Sequence, residues 1–461
     1  MNGSIQLFRD PRRMHPKQIW FIVALLAAAA MAVVDARAET APQPADPQTQ
    51  TSSAAERIYA GARPKLLQIR TLVAAAGRQS SIGSGFLVSA DGLALTNYHV
   101  VSQYALEPAT YRLEYAAADG SRGGLQLLAI DLANDLALVR LEGHDFPHFD
   151  FDQRAIAGEL PKGERLYSMG NPLDLGFTIV EGTYNGLVDR SYGERIHFSG
   201  ALNPGMSGGP AVNDEGRVAG VNVAKQQGSE LVSFLVPARF ATALLKRAAG
   251  AEPPKPADFR AEIGQQLTAW QAGVYHSVAT EGFNLSNFGP YAAPESAAPW
   301  FTCWAQTNAD QVPKPRVSAE TTSCYGDSQL FIASDLSTGR IQLTHSYYRS
   351  LTLNDFQFAS FLSQQYVPSM TRSYARKWLT DQRCEENFVR ATSPGERPTL
   401  RVMWCARAYR AFEGVYDVWV LTLTQDRSDE ALVSRLVMQG VSFDNAVTLT
   451  KRFLEAVQWK R

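Results

Sequence analysis

The segment from about residue 54 to residue 248 is a succession of short apolar runs separated by glycine-bearing turns. Residues 85–88 and 136–139 are two of these runs, and Gly92 and Gly120 lie in two of the turns. Runs of this length, bounded by turn residues, are typical of β-strands. Many short strands joined in this way predict a barrel or sandwich, closed here by a helix at residues 238–249.

The beginning of the chain carries a pattern typical of an export signal. Basic residues precede an unbroken apolar run at residues 20–34, and Ala-Arg-Ala follows at residues 36–38. This order predicts a signal peptide over residues 1–38 and a chain exported to the bacterial periplasm or secreted, with no stable membrane span after cleavage. The alternative is a retained anchor, but the run is shorter than the roughly 20 residues of a spanning helix. Residues 39–53, rich in Pro, Gln, Thr and Ala, predict a flexible tether.

The composition changes after residue 250. Residues 251–258 are rich in proline and predict a stiff linker. Residues 259–461 contain all four cysteines and every tryptophan outside the signal segment. We therefore expect a C-terminal α+β region that is distinct from the β-rich region before it.

The four cysteines form two pairs with the same spacing. Cys303 and Cys324 lie 21 residues apart, as do Cys384 and Cys405. An even number of cysteines in an exported chain predicts two disulfides, Cys303–Cys324 and Cys384–Cys405. A zinc site is the alternative, but it would use close Cys-x-x-Cys pairs. We therefore expect neither a metal nor another cofactor.

Equivalent cysteines of the two pairs are offset by 81 residues, and this offset predicts two tandem repeats. The repeats would cover about residues 299–379 and 380–461, each a disulfide-closed β-hairpin followed by further strands and a helix. The two helices are expected near residues 354–364 and 429–438. The alternative is a coincidental spacing within one α+β domain.

The charge of the chain excludes some classes of partner. The formal net charge is −1, 19% of the residues are charged, and no long basic run occurs. This composition indicates neither nucleic-acid binding nor attraction to an anionic membrane surface. Nothing in the sequence indicates an oligomer.

Residues 205–210 read Gly-Met-Ser-Gly-Gly-Pro and offer a nucleophile, Ser207. Hydrolysis of a peptide needs a hydroxyl, a base, an acid that orients the base, and donors where the oxyanion forms. Glycines on both sides of Ser207 let the backbone bend so that the N–H groups of Gly205 and Ser207 point into one small space. These two groups are the predicted oxyanion hole.

The same segment also satisfies G-x-S-x-G, the nucleophile elbow of α/β-hydrolases. That fold requires a helix directly after the serine. Gly208, Gly209 and Pro210 cannot open a good helix, and residues 211–216 predict a hairpin instead. The sequence therefore favours the β-barrel class.

Candidates for the base and the acid lie upstream of the serine. His99 follows an apolar run at residues 93–95, where a strand ends, and Asp135 immediately precedes the run at residues 136–139. Alone, a histidine at a strand end and an aspartate in a turn are ordinary features. Their combination with Ser207 indicates a Ser-His-Asp triad.

Four segments, in this order, resemble the HtrA/Deg group of trypsin-like proteases. They are Gly-Ser-Gly-Phe-Leu-Val at 83–88 with Thr-Asn-Tyr-His-Val-Val at 96–101, Asp-Leu-Ala-Asn-Asp-Leu-Ala at 131–137, Gly-Asn-Pro at 170–172, and Asn-Pro-Gly-Met-Ser-Gly-Gly-Pro at 203–210. The resemblance implies a chymotrypsin-like, all-β double β-barrel protease domain over residues 54–250. It also implies a serine endopeptidase that acts on proteins or peptides. In that enzyme His99 is the general base, Asp135 orients it and Ser207 is the nucleophile.

Two features depart from that family. Met206 stands where the family usually has asparagine, and we expect its side chain at the mouth of the site. The C-terminal half has no PDZ-like pattern, so the family's capture of C-terminal peptides is not transferred. We expect the C-terminal region to hold a substrate or a partner near the protease cleft instead.

The predicted substrate pocket consists of Ala201, Leu202, Phe234 and Leu235. Ala201 stands where a preference for basic side chains would need an aspartate, and residues 233–237 resemble the apolar strand that lines the family's primary pocket. We therefore expect cleavage after small or medium apolar residues.

Two other functions stay open. The first is a catalytically idle protease fold that serves as a scaffold or binding protein of the cell envelope, suggested by the large Trp-rich C-terminal region. The second is a hydrolase of esters or of peptidoglycan-linked peptides.

Overall fold

A computed structural model describes residues 52–225, 232–250, 252, 254–326, 328–368, 376–390 and 397–460. The predicted signal peptide, and all of the predicted tether but its last two residues, lie outside these ranges. No helix within these ranges is both long enough and apolar enough to cross a membrane.

The first part of the described chain is a closed antiparallel barrel. Its elements are α1 (Ser53–Ala62), β1 (Leu66–Val73), β2 (Arg78–Leu87), β3 (Leu93–Thr96), α2 (Tyr98–Leu106), β4 (Tyr111–Ala117), β5 (Arg122–Asp131) and β6 (Leu136–Leu141). The strand order around the barrel is β1-β2-β3-β6-β5-β4. Apolar side chains such as Leu67, Ile69 and Val139 are buried in one cluster of this barrel, as the short apolar runs predict.

A second closed barrel follows. Its elements are α3 (Gln153–Ala157), β7 (Arg165–Gly170), β8 (Thr178–Leu187), β9 (Ile196–Phe198), β10 (Pro210–Val212), β11 (Val218–Lys225), β12 (Ser233–Pro237) and α4 (Ala238–Ala248). The strand order is β10-β11-β12-β9-β8-β7. Helix α4 confirms the predicted closing helix. Two consecutive antiparallel barrels form the chymotrypsin-like arrangement that the resemblance implies.

The C-terminal region is α+β, as expected. Its elements are α5 (Phe259–Glu281), β13 (Asn284–Phe288), β14 (Tyr291–Ser296), β15 (Phe301–Thr307), β16 (Val317–Gly326), β17 (Leu330–Ala333), β18 (Leu336–Thr338), β19 (Ile341–Ser350), α6 (Asp355–Gln365), β20 (Arg383–Val389), β21 (Leu400–Ala408), β22 (Val415–Thr424), β23 (Glu430–Ser442), α7 (Phe443–Ala456) and β24 (Gln458–Trp459). Its main sheet has the order β15-β16-β19-β23-β22-β21-β20. Strands β13, β14 and β24 form a smaller sheet, and β17 and β18 form a separate hairpin.

Both predicted disulfides are present. Cys303 bonds to Cys324 across the β15–β16 hairpin, and Cys384 bonds to Cys405 across the β20–β21 hairpin. The two hairpins lie at opposite edges of the main sheet. Each disulfide therefore closes a hairpin at an edge of the sheet, while the internal repeat itself stays a prediction.

One of the two helix predictions for the repeats is wrong. Residues 429–438 fall mostly in β23, which pairs with β19 on one side and β22 on the other. Buried and partly exposed side chains alternate over residues 434–440, which is the pattern of a strand. Pairing on both sides outweighs any local preference for helix. The other predicted helix, at residues 354–364, is confirmed as α6.

The C-terminal region and the first barrel share one apolar core. Phe259 and Ile263 of α5 and Ile332 of β17 lie in the same buried cluster as Leu67 and Val139 of the barrel. Polar contacts reinforce this packing, since Gln266 Nε2 donates to Ile130 O at 2.9 Å and the Leu132 N–H donates to Gln266 Oε1 at 2.8 Å. The predicted domain boundaries at residues 250 and 259 therefore divide the sequence but do not divide the core.

Candidate active site

The turn before β6 brings Asp135 to the beginning of α2, where His99 lies. Asp135 Oδ2 is 2.6 Å from His99 Nδ1, and Asp135 Oδ1 accepts the backbone N–H of His99 at 2.9 Å. The main-chain carbonyl of Asp135 accepts a hydrogen bond from Asn97 Nδ2 at 2.8 Å. Asp135 has a positive φ of 58°, a conformation that aspartate tolerates better than most residues. Two hydrogen bonds from His99 to the carboxylate, and one from Asn97 to the main chain of Asp135, thus fix the imidazole relative to the carboxylate.

Burial and charge act in opposite directions on His99. Burial lowers the pKa of this imidazole, whereas the charge of Asp135 and its hydrogen bond raise it. The charge and hydrogen bond together outweigh burial, so the pKa of His99 lies above its ordinary value of 6.5. The imidazole keeps 28% of its surface exposed, which leaves it open to a reactant on the side away from Asp135.

Ser207 lies in the loop between β9 and β10 and is half-buried. Its Oγ donates to Val223 O at 3.1 Å. Within the described residues, the hydroxyl makes no hydrogen bond to His99. The structure therefore brings His99 and Asp135 into direct contact and leaves the Ser207 hydroxyl turned toward β11.

Ser84, which is fully buried, joins the first barrel to the loop that carries Ser207. Its Oγ donates to Gly205 O at 2.7 Å and accepts the Asn171 N–H at 2.9 Å. Its backbone N–H donates to Ser207 O at 2.7 Å. Ser84 and Gly205 are 121 residues apart in the sequence, so no local pattern could have assigned Ser84 this positioning role.

Asn222 holds the same loop from the second barrel and is also fully buried. Its Nδ2 donates to Met169 O at 2.9 Å and to Met206 O at 3.1 Å, and its Oδ1 accepts Ser168 Oγ at 2.7 Å. Gly208 fits between the two barrels because it has no side chain. A Cβ there would lie 2.2 Å from Ser84 O, and its φ of +85° favours glycine.

The two predicted oxyanion donors lie on either side of Met206. Among the residues that the structure describes, neither the Gly205 N–H nor the Ser207 N–H donates to an acceptor of the chain. Gly205 has a φ of +95°, and a Cβ there would lie 2.5 Å from Asn171 O. The loop conformation therefore depends on glycine at this position and leaves both N–H groups available to another acceptor.

The four predicted pocket residues do not surround one cavity. Leu202 and Leu235 are 4% and 0% exposed and lie in the core of the second barrel, whereas Ala201 is exposed. Phe234 is partly exposed and lines a pocket of about 180 Å³. The expectation that Met206 lines the mouth is wrong, because its side chain is 1% exposed and lies in the same core.

The C-terminal region contacts the candidate base through Phe331, a residue that the sequence did not single out. The Phe331 ring meets the His99 ring edge to face, with 5.9 Å between centroids. No segment near Phe331 matches the protease motifs, so only the folded chain discloses this neighbour.

One cluster with metal-binding atoms occurs in the described part of the chain, formed by Glu295, Cys303 and Cys324. Because the two cysteines are joined in a disulfide, they offer no thiolate to a metal. This cluster therefore does not form a metal site.

Comparisons with known proteins agree with this geometry. Residues 83–221 match the family model of the trypsin-like peptidase domain. The chain is 35% identical over 169 residues to the putative serine protease HhoB of Synechocystis, a match that covers 35% of this chain and 38% of that protein. It is 31% identical over 171 residues to a probable periplasmic serine endoprotease DegP-like of Chlamydia pneumoniae, covering 35% and 33%.

A serine endoprotease from Yersinia pestis of known structure matches with a TM-score of 0.37 and 22% identity, covering 43% of this chain and 68% of that one. The match covers 38% of the length of the Synechocystis protein and 33% of the Chlamydia pneumoniae protein, so the chain spans less than two fifths of either relative. Within that span lie the His99–Asp135 pair and the Ser207 loop. Residues 83–221 are therefore similar to a trypsin-like peptidase domain and to proteins named as serine proteases of the HhoB and DegP-like kinds.

Proposed function

We propose that the chain is an exported serine endopeptidase that cleaves peptide bonds through an acyl-enzyme on Ser207. The observation that carries the proposal is the His99–Asp135 pair, 2.6 Å apart, beside a serine loop with two unpaired N–H groups. A base with its orienting acid, a hydroxyl and oxyanion donors are the parts that acyl transfer requires.

In this mechanism Ser207 Oγ leaves Val223 O and donates instead to His99 Nε2. As Oγ attacks the substrate carbonyl carbon, its proton passes to Nε2, and the Asp135 carboxylate stabilises the imidazolium through Nδ1–H. The Gly205 and Ser207 N–H groups donate hydrogen bonds to the carbonyl oxygen as negative charge develops on it. One such donor contributes a factor of about 10²–10³ to the rate. His99 then protonates the leaving amine, and water releases the acyl group by the reverse sequence.

The proposal extends to substrate class and to location. Ala201 supplies no carboxylate for a basic side chain, and the exposed part of Phe234 is apolar, which together support cleavage beside small or medium apolar residues. Two disulfides support an oxidising compartment. Relatives named as periplasmic serine endoproteases support the bacterial periplasm as that location.

A specific observation favours one alternative, the idle scaffold. Ser207 Oγ is bonded to Val223 O and not to His99. Catalytic hydrogen bonds are often loose without substrate, however, and tighten in the complex. Labelling of Ser207 by a fluorophosphonate distinguishes the active enzyme from the scaffold.

The test uses the full chain, exported so that both disulfides form, beside its Ser207→Ala variant. We expect the wild-type chain to degrade casein and to react with a fluorophosphonate probe at Ser207. The variant should lose turnover by a factor on the order of 10⁶. Ser80→Ala, at an exposed serine of β2, is the matched control and should behave as wild type. A wild-type chain that neither labels nor cleaves casein or short esters would point to the scaffold.

A further inference from the structure

The imidazole of His99 has a neighbour from outside the two barrels. His99 is the second residue of α2, and Asp135 contacts its ring at Nδ1. The ring of Phe331, from β17 of the C-terminal region, meets the imidazole edge to face, with 5.9 Å between the centroids and 70° between the ring planes. The β17–β18 hairpin therefore forms part of the surroundings of the candidate base.

The residue before His99 fixes the same hairpin to α2. Tyr98 is fully buried, and its hydroxyl donates to Ile332 O at 2.9 Å. Burial and then the charge of Asp135 raise the pKa of this hydroxyl well above its ordinary value of 10, so it keeps its proton and stays a donor. The Tyr98 ring also meets the Phe331 ring edge to face, with centroids 6.3 Å apart. One hydrogen bond and two ring contacts thus join the beginning of α2 to β17.

Apolar side chains from both elements are buried together at this junction. Leu330 and Ile332 of β17 lie in one cluster with Val100 and Val101 of α2, and none of the four is more than 4% exposed. Burial of apolar surface is the dominant favourable contribution to folding. The hairpin is therefore part of the core and stays on α2 in the folded chain.

The hairpin is in turn tied to the main C-terminal sheet. The Tyr409 hydroxyl donates to Asp417 Oδ1 of β22 at 2.7 Å and accepts from Thr338 Oγ1 of β18 at 2.7 Å. At the turn of the hairpin, Trp378 Nε1 donates to Asp335 Oδ1 at 2.8 Å. Thr338, Tyr409 and Asp417 are at most 3% exposed, so water does not compete for these bonds. The main sheet thus sets the position of the hairpin, and the hairpin sets the position of Phe331.

The effect of Phe331 on the imidazole is steric. A phenyl ring has no charge and no hydrogen-bonding group, so it takes no part in proton transfer itself. It fills space into which the His99 ring would otherwise turn, and it excludes water from that side. A general base acts only within hydrogen-bond reach of the proton that it accepts, and a displacement of about 1 Å can cost about a hundredfold in rate.

We propose that Phe331 is a positioning residue, through which the β17–β18 hairpin holds the His99 imidazole in the orientation that accepts the Ser207 proton. The C-terminal region is then needed for the chemical step itself. This inference rests on the proposed peptidase function and differs from the expectation that the region holds a substrate or a partner. Loss of substrate binding raises KM, whereas loss of a positioned base lowers kcat.

The test is Phe331→Ala in the full chain, read out by steady-state hydrolysis of a short ester and by the rate of fluorophosphonate labelling of Ser207. Labelling needs the base but no bound peptide, so it separates positioning of His99 from capture of a substrate. Phe356→Ala, at a phenylalanine of α6 that is 90% exposed, is the matched control. Phe331→Tyr is the conservative variant, and urea unfolding reports whether each variant is folded.

We expect Phe331→Ala to lower both kcat for the ester and the rate of labelling by about tenfold to a hundredfold, with KM nearly unchanged. Phe331→Tyr keeps a ring beside the imidazole and should restore both rates, and Phe356→Ala should match wild type. As a second variant, Tyr98→Phe removes the hydrogen bond to Ile332 and should lower both rates by a smaller factor.

Wild-type kcat and labelling in whichever of Phe331→Ala and Tyr98→Phe is folded would overturn the positioning role while leaving the peptidase intact. A gain of activity would overturn it as well, because the hairpin would then restrain the base. A rise in KM with unchanged labelling would assign Phe331 to substrate binding instead. Absence of labelling in the wild-type chain would overturn the proposed function and this inference with it.

Discussion

Replacing Ser84 by alanine tests how the serine loop is held. The change removes one oxygen and leaves two groups without a partner, the Gly205 carbonyl and the Asn171 N–H. An unsatisfied buried polar group costs about 1–3 kcal/mol. Because Ser84 is fully buried and Asn171 nearly so, water does not easily replace the lost oxygen. We expect Ser84→Ala to lower the free energy of unfolding by about 2–4 kcal/mol.

The same change should slow the chemistry. Without its anchor at Ser84, the Gly205 carbonyl can rotate, and the adjacent oxyanion donor loses its fixed direction. We expect kcat to fall by about tenfold to a hundredfold, less than the loss of a whole oxyanion donor. KM for a short ester should change little, because Ser84 is fully buried and does not contact a bound ester.

The assay combines urea unfolding with steady-state hydrolysis of the ester. Ser80→Ala, on the same strand but exposed, controls for the loss of a serine hydroxyl from β2 and should match wild type in both measurements. If Ser84→Ala unfolds within about 0.5 kcal/mol of wild type and keeps its kcat, the positioning role argued from the hydrogen bonds is refuted.

Three further predictions concern pH and the disulfides. Burial lowers the pKa of His345 from 6.5 to about 4, so the unfolded chain binds a proton more readily than the folded chain. We expect the free energy of unfolding to fall by about 3 kcal/mol as the pH falls from 6.5 to below 4. Urea unfolding at several pH values in this range measures that loss. Burial lowers the pKa of His99, but Asp135 raises it by more, so the pKa lies above 6.5. Because the base must be unprotonated, kcat/KM should fall as the pH decreases through this pKa. Asp135→Asn should lower the pKa. Replacing Cys384 and Cys405 by serine opens a loop of 21 residues and should cost about 3 kcal/mol in urea unfolding.

Each of these has its own control. His148→Gln, at an exposed histidine, should leave the loss of stability at acid pH unchanged, whereas His345→Gln should reduce it. If both variants lose stability with pH as steeply as wild type, His345 is not the group responsible. A pH–rate profile with its acidic limb below 6.5 would contradict the effect of Asp135. A double serine variant as stable as wild type would show that the backbone hydrogen bonds between β20 and β21 hold the hairpin without the disulfide.

Local patterns were enough to predict much of this fold. The short runs around residues 85–88 and 136–139 became barrel strands because strand length and turn position are encoded in neighbouring residues. The disulfides followed from spacing, since cysteines equidistant from a turn face each other in a hairpin. The motifs around His99, Asp135 and Ser207 located the candidate site for the same local reason.

Features that depend on distant contacts were not predictable. Strand β23 was expected to be helical because its neighbours β19 and β22 are not visible in its own sequence. The roles of Ser84 and Asn222 arise from hydrogen bonds to a loop far along the chain. Met206 was misplaced because a family position does not reveal which way a side chain points.

The shared core of the first barrel and the C-terminal region also sets an order of events during synthesis. The acceptor for the Tyr98 hydroxyl lies 234 residues further along the chain. At the usual rate of translation, the ribosome makes it roughly 10–50 s after Tyr98. Both barrels have emerged by then, but the helix that bears His99 still lacks Ile332 and Phe331. We therefore expect the contacts that Ile332 and Phe331 make with this helix to form after the barrels themselves.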